Sequence, residues 1–161
     1  MRSYLKLIFC ALLVVVLDYS TKVSALYYLT SHPLELTPFL SLQVAYNCGI
    51  AFSLFDTCTV YNQLLLSLLS IGVCTYIIYI STNHLHIPGI FISITLIIGG
   101  AAGNILDRVL YGYVIDFIRL HYKSYFWPTF NLADSFVVIG ILLFLLCPAI
   151  YGDKVKALNK Y

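Results

Sequence analysis

Charge is scarce in this chain. Only 10% of its 161 residues are Asp, Glu, Lys or Arg, and none of the four occurs between Asp56 and Asp107 or between Asp134 and Asp153. Soluble domains carry about 25%, so an ordinary water-soluble fold is excluded. Several chemical signatures are missing as well. There is no HExxH pair for a zinc protease and no GxS nucleophile motif beside a histidine. The glycine-rich stretch at residues 99–103 lacks the spacing and lysine of a phosphate loop. His84 and His86 lie in a polar turn and read as side chains facing water, so neither a metal nor any other cofactor is expected. No internal repeat supports an inverted-repeat transporter architecture.

What remains is apolar: 61% hydrophobic residues and a mean hydropathy of +0.92. About 20 apolar residues cross a bilayer, and the uncharged gaps hold three such spans. Two lie in the first gap, near residues 61–82 and 89–110, separated by a Pro-Gly turn with Asn83, His84, His86, Pro88 and Gly89. A third runs over about 134–151. A further span, about 5–29, carries Asp18 and Lys22 in its outer half. The predicted fold is an all-α membrane protein, a single integral domain over residues 1–161 with four transmembrane helices. It carries a small extracytoplasmic β-sheet in the segment of about 30–60, and a second extracytoplasmic loop over about 111–133.

The N-terminus also fits a signal peptide, with Arg2 and Lys6 before an apolar stretch and Val23-Ser24-Ala25 as a small-residue cleavage site. A lipoprotein box ending at Cys10 is excluded by the bulk of Phe9 and the early position of the cysteine. Orientation follows the basic residues near the helix ends. The termini hold Arg2, Lys6, Lys154, Lys156 and Lys160, while residues 30–59 have no Lys or Arg. Four spans then place both termini in the cytoplasm.

In the first outer segment Leu40, Leu42, Val44 and Tyr46 alternate with Ser41, Gln43, Ala45 and Asn47, a period of two that predicts a strand. The other outer segment mixes Tyr122, Tyr125, Phe126 and Trp127 with Arg119 and Lys123, which suits a bilayer surface. Of the five cysteines, only Cys48 and Cys58 would face an oxidising side. They read either as a disulfide or, like the others, as small apolar filler.

Ionisable groups at the edge of a membrane bundle are functional candidates by default, and the polar residues form four clusters. Asp18 and Lys22, four residues apart on one helix face, read as a neutralising ion pair. Asn47-Cys48-Gly49 follows the strand, Gly49 supplying a turn and Asn47 a short donor and acceptor. Gly99 and Gly103 form a small-xxx-small helix contact, followed by Asn104, Asp107 and Arg108. Arg108 is placed to pair with Asp107, a substrate carbonyl or a lipid phosphate. Asp116 comes next in VIDF. Asn131 and Asp134 lie at the mouth of the last span, where Asp134 has an ordinary reading as a helix cap.

Together the motifs DxxTK, NxGxAFS, GGAxGNxxDR with a following VxDF, and FNxADS, running from Asp18 to Ser135, resemble the lipoprotein signal peptidase (signal peptidase II) family. The resemblance implies a bacterial inner-membrane, multi-pass aspartic endopeptidase. Such an enzyme cuts prolipoproteins just before a lipid-modified cysteine, with Asp116 and Asp134 as the catalytic dyad. It implies supporting roles for Asp18, Asn47, Asn104, Arg108 and Asn131, with Lys22, Gly49 and Asp107 structural. The partners it implies are the prolipoprotein and membrane lipids, with no nucleic acid, and a monomer is expected. Tyr19 and Ile50 depart from the family pattern, which bears on pocket shape rather than chemistry.

The chemistry is also expected from the residues alone. Two close carboxylates share one proton because both do not readily ionise together, which supplies an acid and a base for peptide hydrolysis. Both aspartates are expected at outer ends of spans. A proton-coupled transporter would spread its acids through the membrane depth, and a structural scaffold would not need two acids embedded in motifs.

Overall fold

The computed structural model describes the backbone of residues 2–49 and 57–158 and the side chains of residues 3–49 and 57–147. Ile50, Phe52 and Ser53 of the second motif, and the side chains of Arg2, Asp153, Lys154, Lys156 and Lys160, fall outside the described residues. The α-helices among the described residues are α1 (Arg2–Leu29), α2 (Val60–Ser81), α3 (Pro88–Tyr111) and α4 (Leu132–Leu158). Among the described residues, three helical stretches are long and apolar enough to cross a membrane: Ser3–Leu29, Val60–His84 and Pro88–Tyr111. The described apolar part of α4 is Leu132–Cys147. Phe9, Leu12, Leu64, Leu68, Leu142 and Leu145 are exposed on the helices. Water would penalise such surface and hydrocarbon would not.

Local chemistry sets the helix ends. The Thr59 hydroxyl accepts from Asn62 N–H and caps α2, as N-cap threonines do. A 3-10 turn, Thr82–His84, follows α2, and Pro88 opens α3 at its first position, where its missing N–H costs nothing. Gly112, at φ 78°, closes α3 in the left-handed region and donates its N–H to the Arg108 carbonyl, a conformation that glycine adopts without a Cβ penalty.

Glycine also sets how close the helices come. A Cβ on Gly99 would meet Val14 Cβ of α1 at 2.5 Å, and one on Gly103 would meet Asp18 Oδ2 at the same distance. Gly100 faces α4 instead, where a Cβ would sit 2.5 Å from the Ala133 carbonyl oxygen. The small residues of α3 therefore serve two neighbours, one on each side.

The sheet is larger than the sequence suggests. Its four strands, β1 (Leu34–Thr37), β2 (Leu40–Asn47), β3 (Val114–Tyr122) and β4 (Tyr125–Phe126), are antiparallel in the order β1-β2-β3-β4. The alternation at residues 40–47 forms β2, as expected. The second outer segment, expected to be a loop, supplies β3 and β4 and completes the same sheet. Val114, Ile115, Asp116 and Phe117 are all buried, so β3 shows no period-two alternation at the end that matters. Asp116 accordingly lies inside a strand, not at the end of a span as expected.

The Gly100 contact is with backbone, which does not move aside. Gly100→Ala is expected to destabilise the protein by about 1–3 kcal/mol, read as earlier thermal unfolding in detergent. Gly72, mid-helix in α2 with nothing within 4 Å of its notional Cβ, is the control. Gly72→Ala should unfold at the same temperature or higher.

Candidate active site

The site forms where the sheet meets the ends of α1, α3 and α4. Two devices bring Asp116 and Asp134 together. Phe130, just before α4, is bonded both ways to β3: its N–H donates to the Ile118 carbonyl (3.0 Å), and its carbonyl accepts from Ile118 N–H (2.8 Å) and Phe117 N–H (3.1 Å). That clamp holds the mouth of α4 two residues along the strand from Asp116. The second device is the cap of α4. Asn131 is the N-cap and Asp134 the third helical residue, so the ordinary capping reading of Asp134 needs correction. Asn131 Oδ1 accepts from Asp134 N–H (2.9 Å), and Asp134 Oδ2 accepts from Asn131 N–H (3.1 Å). This is a reciprocal capping box, and it leaves Asp134 Oδ1 free for another partner.

Asn131 belongs to both carboxyl groups. Its side-chain amide, fully buried, donates to Asp116 Oδ1 at 2.7 Å and to Asn104 Oδ1 at 3.0 Å. Asn104 Nδ2 donates to Asp134 Oδ1 at 2.7 Å. Asn47, the last residue of β2, donates to Asp116 Oδ2 at 2.9 Å. In the β2–β3 register Asn47 faces Val114 and Ala45 faces Asp116, so Asn47 and Asp116 are diagonal neighbours on one face of the sheet. Gly49 N–H in turn bonds Asn47 Oδ1 at 3.0 Å, which fixes the amide flip.

Behind this layer lies a buried ion cluster. Lys22 is 0% exposed, with its ammonium 2.7 Å from Asp18 Oδ2, 2.9 Å from Asp107 Oδ2 and 3.0 Å from Asn104 Oδ1. The sequence suggested one pair, Asp18 with Lys22; the structure shows a cation shared by two carboxylates and an amide. Each acid also accepts a backbone N–H. Asp18 Oδ1 takes Ala133 N–H of α4 at 2.9 Å, and Asp107 Oδ2 takes Ile115 N–H of β3 at 3.1 Å. Asp18 and Asp107 thus hold the residues beside Asp134 and Asp116 respectively.

Arg108 does not pair with Asp107, one of the partners the sequence left open. It donates to the Gly49 carbonyl at 3.2 Å and the Asn104 carbonyl at 3.4 Å, and its Nε is buried without a partner among the described residues. Its side chain lines a cavity of about 1090 Å³ together with Asn47, Gly49, Asn104, Asp116 and Asp134. The rest of that cavity is largely apolar, walled by Leu66, Leu69, Val73 and Ile77 of α2 and by Val137 and Ile141 of α4. Tyr19, where the sequence departs from the family pattern, is 38% exposed and does not line it.

Asp116 is 1% exposed, whereas Asp134 is half-buried against the cavity. Burial, followed by the negative charge of Asp134, pushes the Asp116 carboxyl up to about 7, against the opposing hydrogen bonds from Asn47 and Asn131. The two groups are linked through Asn131, whose side-chain amide holds Asp116 and whose backbone N–H holds Asp134. The acids Asp18, Asp107, Asp116 and Asp134 gather at the sheet end of the helices instead of spreading along them as a transporter relay would.

Of the two readings open for Cys48 and Cys58, the structure shows the disulfide. One feature escaped sequence reasoning: Asn62 and Gln63 at the start of α2 hold the carbonyl of Cys48. Adjacent amides opening an otherwise apolar helix were the available signal.

Two carboxyl groups tied by shared amides thus lie at the polar end of an apolar cavity in a helical bundle, an arrangement that points to a membrane peptidase. The family description "Signal peptidase (SPase) II" matches residues 10–149. The chain is 38% identical over 138 residues to the lipoprotein signal peptidase of Burkholderia thailandensis, covering 84% of this chain and 82% of the relative. It is 39% identical over 138 residues to that of Janthinobacterium sp. (strain Marseille), with the same coverage of both. Two solved structures described as bacterial membrane enzymes, obtained in meso at 2.3 and 1.9 Å resolution, superpose with TM-scores of 0.77 and 0.73. Both share 28% identity; the first covers 97% of this chain and 92% of its own, the second 88% and 91%. The chain belongs to the signal peptidase II family and is an aspartic peptidase of the membrane.

Removing the central cation leaves two acids buried without compensation. Lys22→Met is expected to cost about 3–5 kcal/mol of stability, measured by thermal unfolding in detergent. Adding Asp107→Asn should recover part of the loss, since the amide oxygen still accepts Ile115 N–H.

Proposed function

We propose that this chain removes the signal peptide from diacylglyceryl-modified bacterial prolipoproteins, cutting just before the lipid-modified cysteine with Asp116 and Asp134 as the dyad. The observation that carries the reading is Asn131, whose side-chain amide holds Asp116 and whose backbone N–H holds Asp134, at one end of a cavity whose remainder is apolar. A lipidated cysteine and the hydrophobic stretch before it present the same combination in the substrate: acyl chains beside a scissile peptide bond.

In this reading α4 is the fourth span, both termini are cytoplasmic, and the sheet with the dyad lies at the outer face of the inner membrane, where a signal peptide presents its cleavage site. The enzyme acts as a monomer without a cofactor. Asp116, buried and raised, begins protonated. Asp134, open to the cavity, takes a proton from water as the water oxygen attacks the scissile carbonyl. Asp116 gives its proton to the carbonyl oxygen, forming a gem-diol. Asp134 then passes its proton to the leaving nitrogen while a diol hydroxyl returns one to Asp116, which breaks the C–N bond and restores the pair. Asn47 and Asn131 hold Asp116, Asn104 holds Asp134, and Arg108 with the Gly49 turn meets the substrate backbone or lipid oxygens. Asp18, Lys22 and Asp107 keep those residues in place.

Asp116→Asn and Asp134→Asn should each abolish processing of a purified lipidated substrate while expression and insertion stay normal. Cleavage of the diacylglyceryl-modified substrate should far exceed cleavage of the same peptide left unmodified; equal cutting would remove the lipid from the recognition. The pH dependence has a definite sign. Below about pH 7 Asp116 carries the proton; as pH rises through that value Asp116 ionises and no acid remains for the carbonyl oxygen. kcat/KM is therefore expected to fall above about pH 7, by roughly tenfold per unit, in an initial-rate pH profile.

A further inference from the structure

Residues 47–49 are each tied to a different part of the site. Asn47 bonds Asp116 on β3. The Gly49 carbonyl accepts from Arg108 on α3. Between them, Cys48 is anchored to the start of α2 in two ways. Its carbonyl accepts from Gln63 Nε2 at 2.6 Å and from Asn62 Nδ2 at 3.0 Å, and its sulfur is joined to Cys58, with Cα atoms 4.9 Å apart. The same two amides also hold the carbonyl of Thr57, at 2.9 Å from Asn62 and 3.3 Å from Gln63. Both ends of the cross-link therefore sit on one pair of side chains. Cys48 is 3% exposed and Cys58 is exposed, so a reductant meets the Cys58 sulfur first. Cys10, Cys74 and Cys147 are free and take no part.

The geometry points to the Cys48–Cys58 disulfide as a positioning element for Asn47, which makes the dyad's activity depend on the redox state of this pair. The proposal rests on the reading of Asp116 and Asp134 as the dyad. Asn47 leaves the sheet at the last β2 residue, and its side chain is aimed by the turn that follows. With the disulfide intact that turn is bound covalently to the start of α2. With it reduced, the turn keeps hydrogen bonds such as those from Asn62, Gln63 and Arg108 but loses its covalent tie, and the Asn47 amide spends less time on Asp116 Oδ2. Misplacing a supporting group by about 1 Å costs up to about 100-fold in rate. Reduction is balanced by a dithiol: one thiolate attacks the Cys58 sulfur and expels the Cys48 thiolate, the second thiol of the reagent then releases Cys58, and the reagent leaves as its own disulfide. Two electrons and two protons pass to the protein.

The full-length enzyme in detergent is assayed on lipidated substrate before and after treatment with dithiothreitol, with alkylation confirming that free thiols rise from three to five. Reduction is expected to lower kcat about tenfold with KM little changed, and reoxidation to restore it. Cys58→Ser should have the reduced rate from the start and ignore the reductant. Because the Asn47 hydrogen bond holds the Asp116 carboxyl down, reduction should also move its titration to higher pH. That shift is read as the infrared carboxyl band absent from Asp116→Asn, and it needs no turnover. An unchanged kcat together with an unmoved band after full reduction overturns the proposal. Failure of the oxidised enzyme to cut any lipidated substrate would instead strike the functional reading, and the infrared titration would still decide the role of the disulfide.

Discussion

One buried ammonium organises this molecule. Lys22 has no exposed surface, yet it sits within hydrogen-bond reach of Asp18, Asp107 and Asn104, which come from two helices. A charge so far from water is stable only if its partners are fixed, and here they are fixed by further obligations. Asp18 also holds the first turn of α4, Asp107 also holds β3, and Asn104 also holds Asp134. The cation therefore sets α1, α3, α4 and the sheet in register around one point. The glycines of α3 make this possible, because a side chain at Gly103 would displace the Asp18 carboxylate.

The site inherits its chemistry from that scaffold. A carboxyl on a strand and a carboxyl in the first turn of a helix have no inherent reason to meet. They meet because Phe130 bridges to Ile118 and because the N-cap of α4 is an asparagine whose side chain reaches back to the strand. Asp134 does two things at once, closing the capping box with one oxygen and presenting the other to Asn104. Structural and chemical roles of these residues are therefore not separable: what caps the helix also aims the carboxyl.

Much of this was legible in the sequence, and the rest was hidden for identifiable reasons. The spans showed in the gaps between charges, β2 in its alternation, and the four polar clusters in their spacing. Asp18 and Lys22 could be paired because they are four residues apart on a helix; Asp107, 85 positions from Lys22, could not be added by any local rule. β3 was missed because its first four residues are buried on both faces, which erases the period of two, while its aromatic and basic residues read as a membrane anchor. Asp134 also has an ordinary reading as the cap, but Asn131, three residues earlier, fills that position, and the Asn-to-Asp spacing is the capping box itself. The disulfide was left open because two cysteines ten residues apart fit filler equally well until the strand end and the start of α2 are seen side by side.

On the proposed reading, the placement of Asp116 and Asp134 meets two opposed demands. Hydrolysis needs water at one carboxyl, and a carboxyl that stays protonated near neutral pH needs burial. A pair deeper among the helices would satisfy the second and starve the first; a pair out on the sheet would have water on both groups and no reason to hold a proton at neutrality. The boundary between sheet and bundle meets both demands through unequal exposure, with Asp116 sealed in the strand and Asp134 open to the cavity. The apolar walls continue from the same point along α2 and α4, so in the proposed reading a substrate lodged among those side chains would bring its peptide bond to the carboxyl pair. On the proposed reading, selectivity for a lipid-bearing chain and the tuning of the acid would both come from the burial at this end of the cavity.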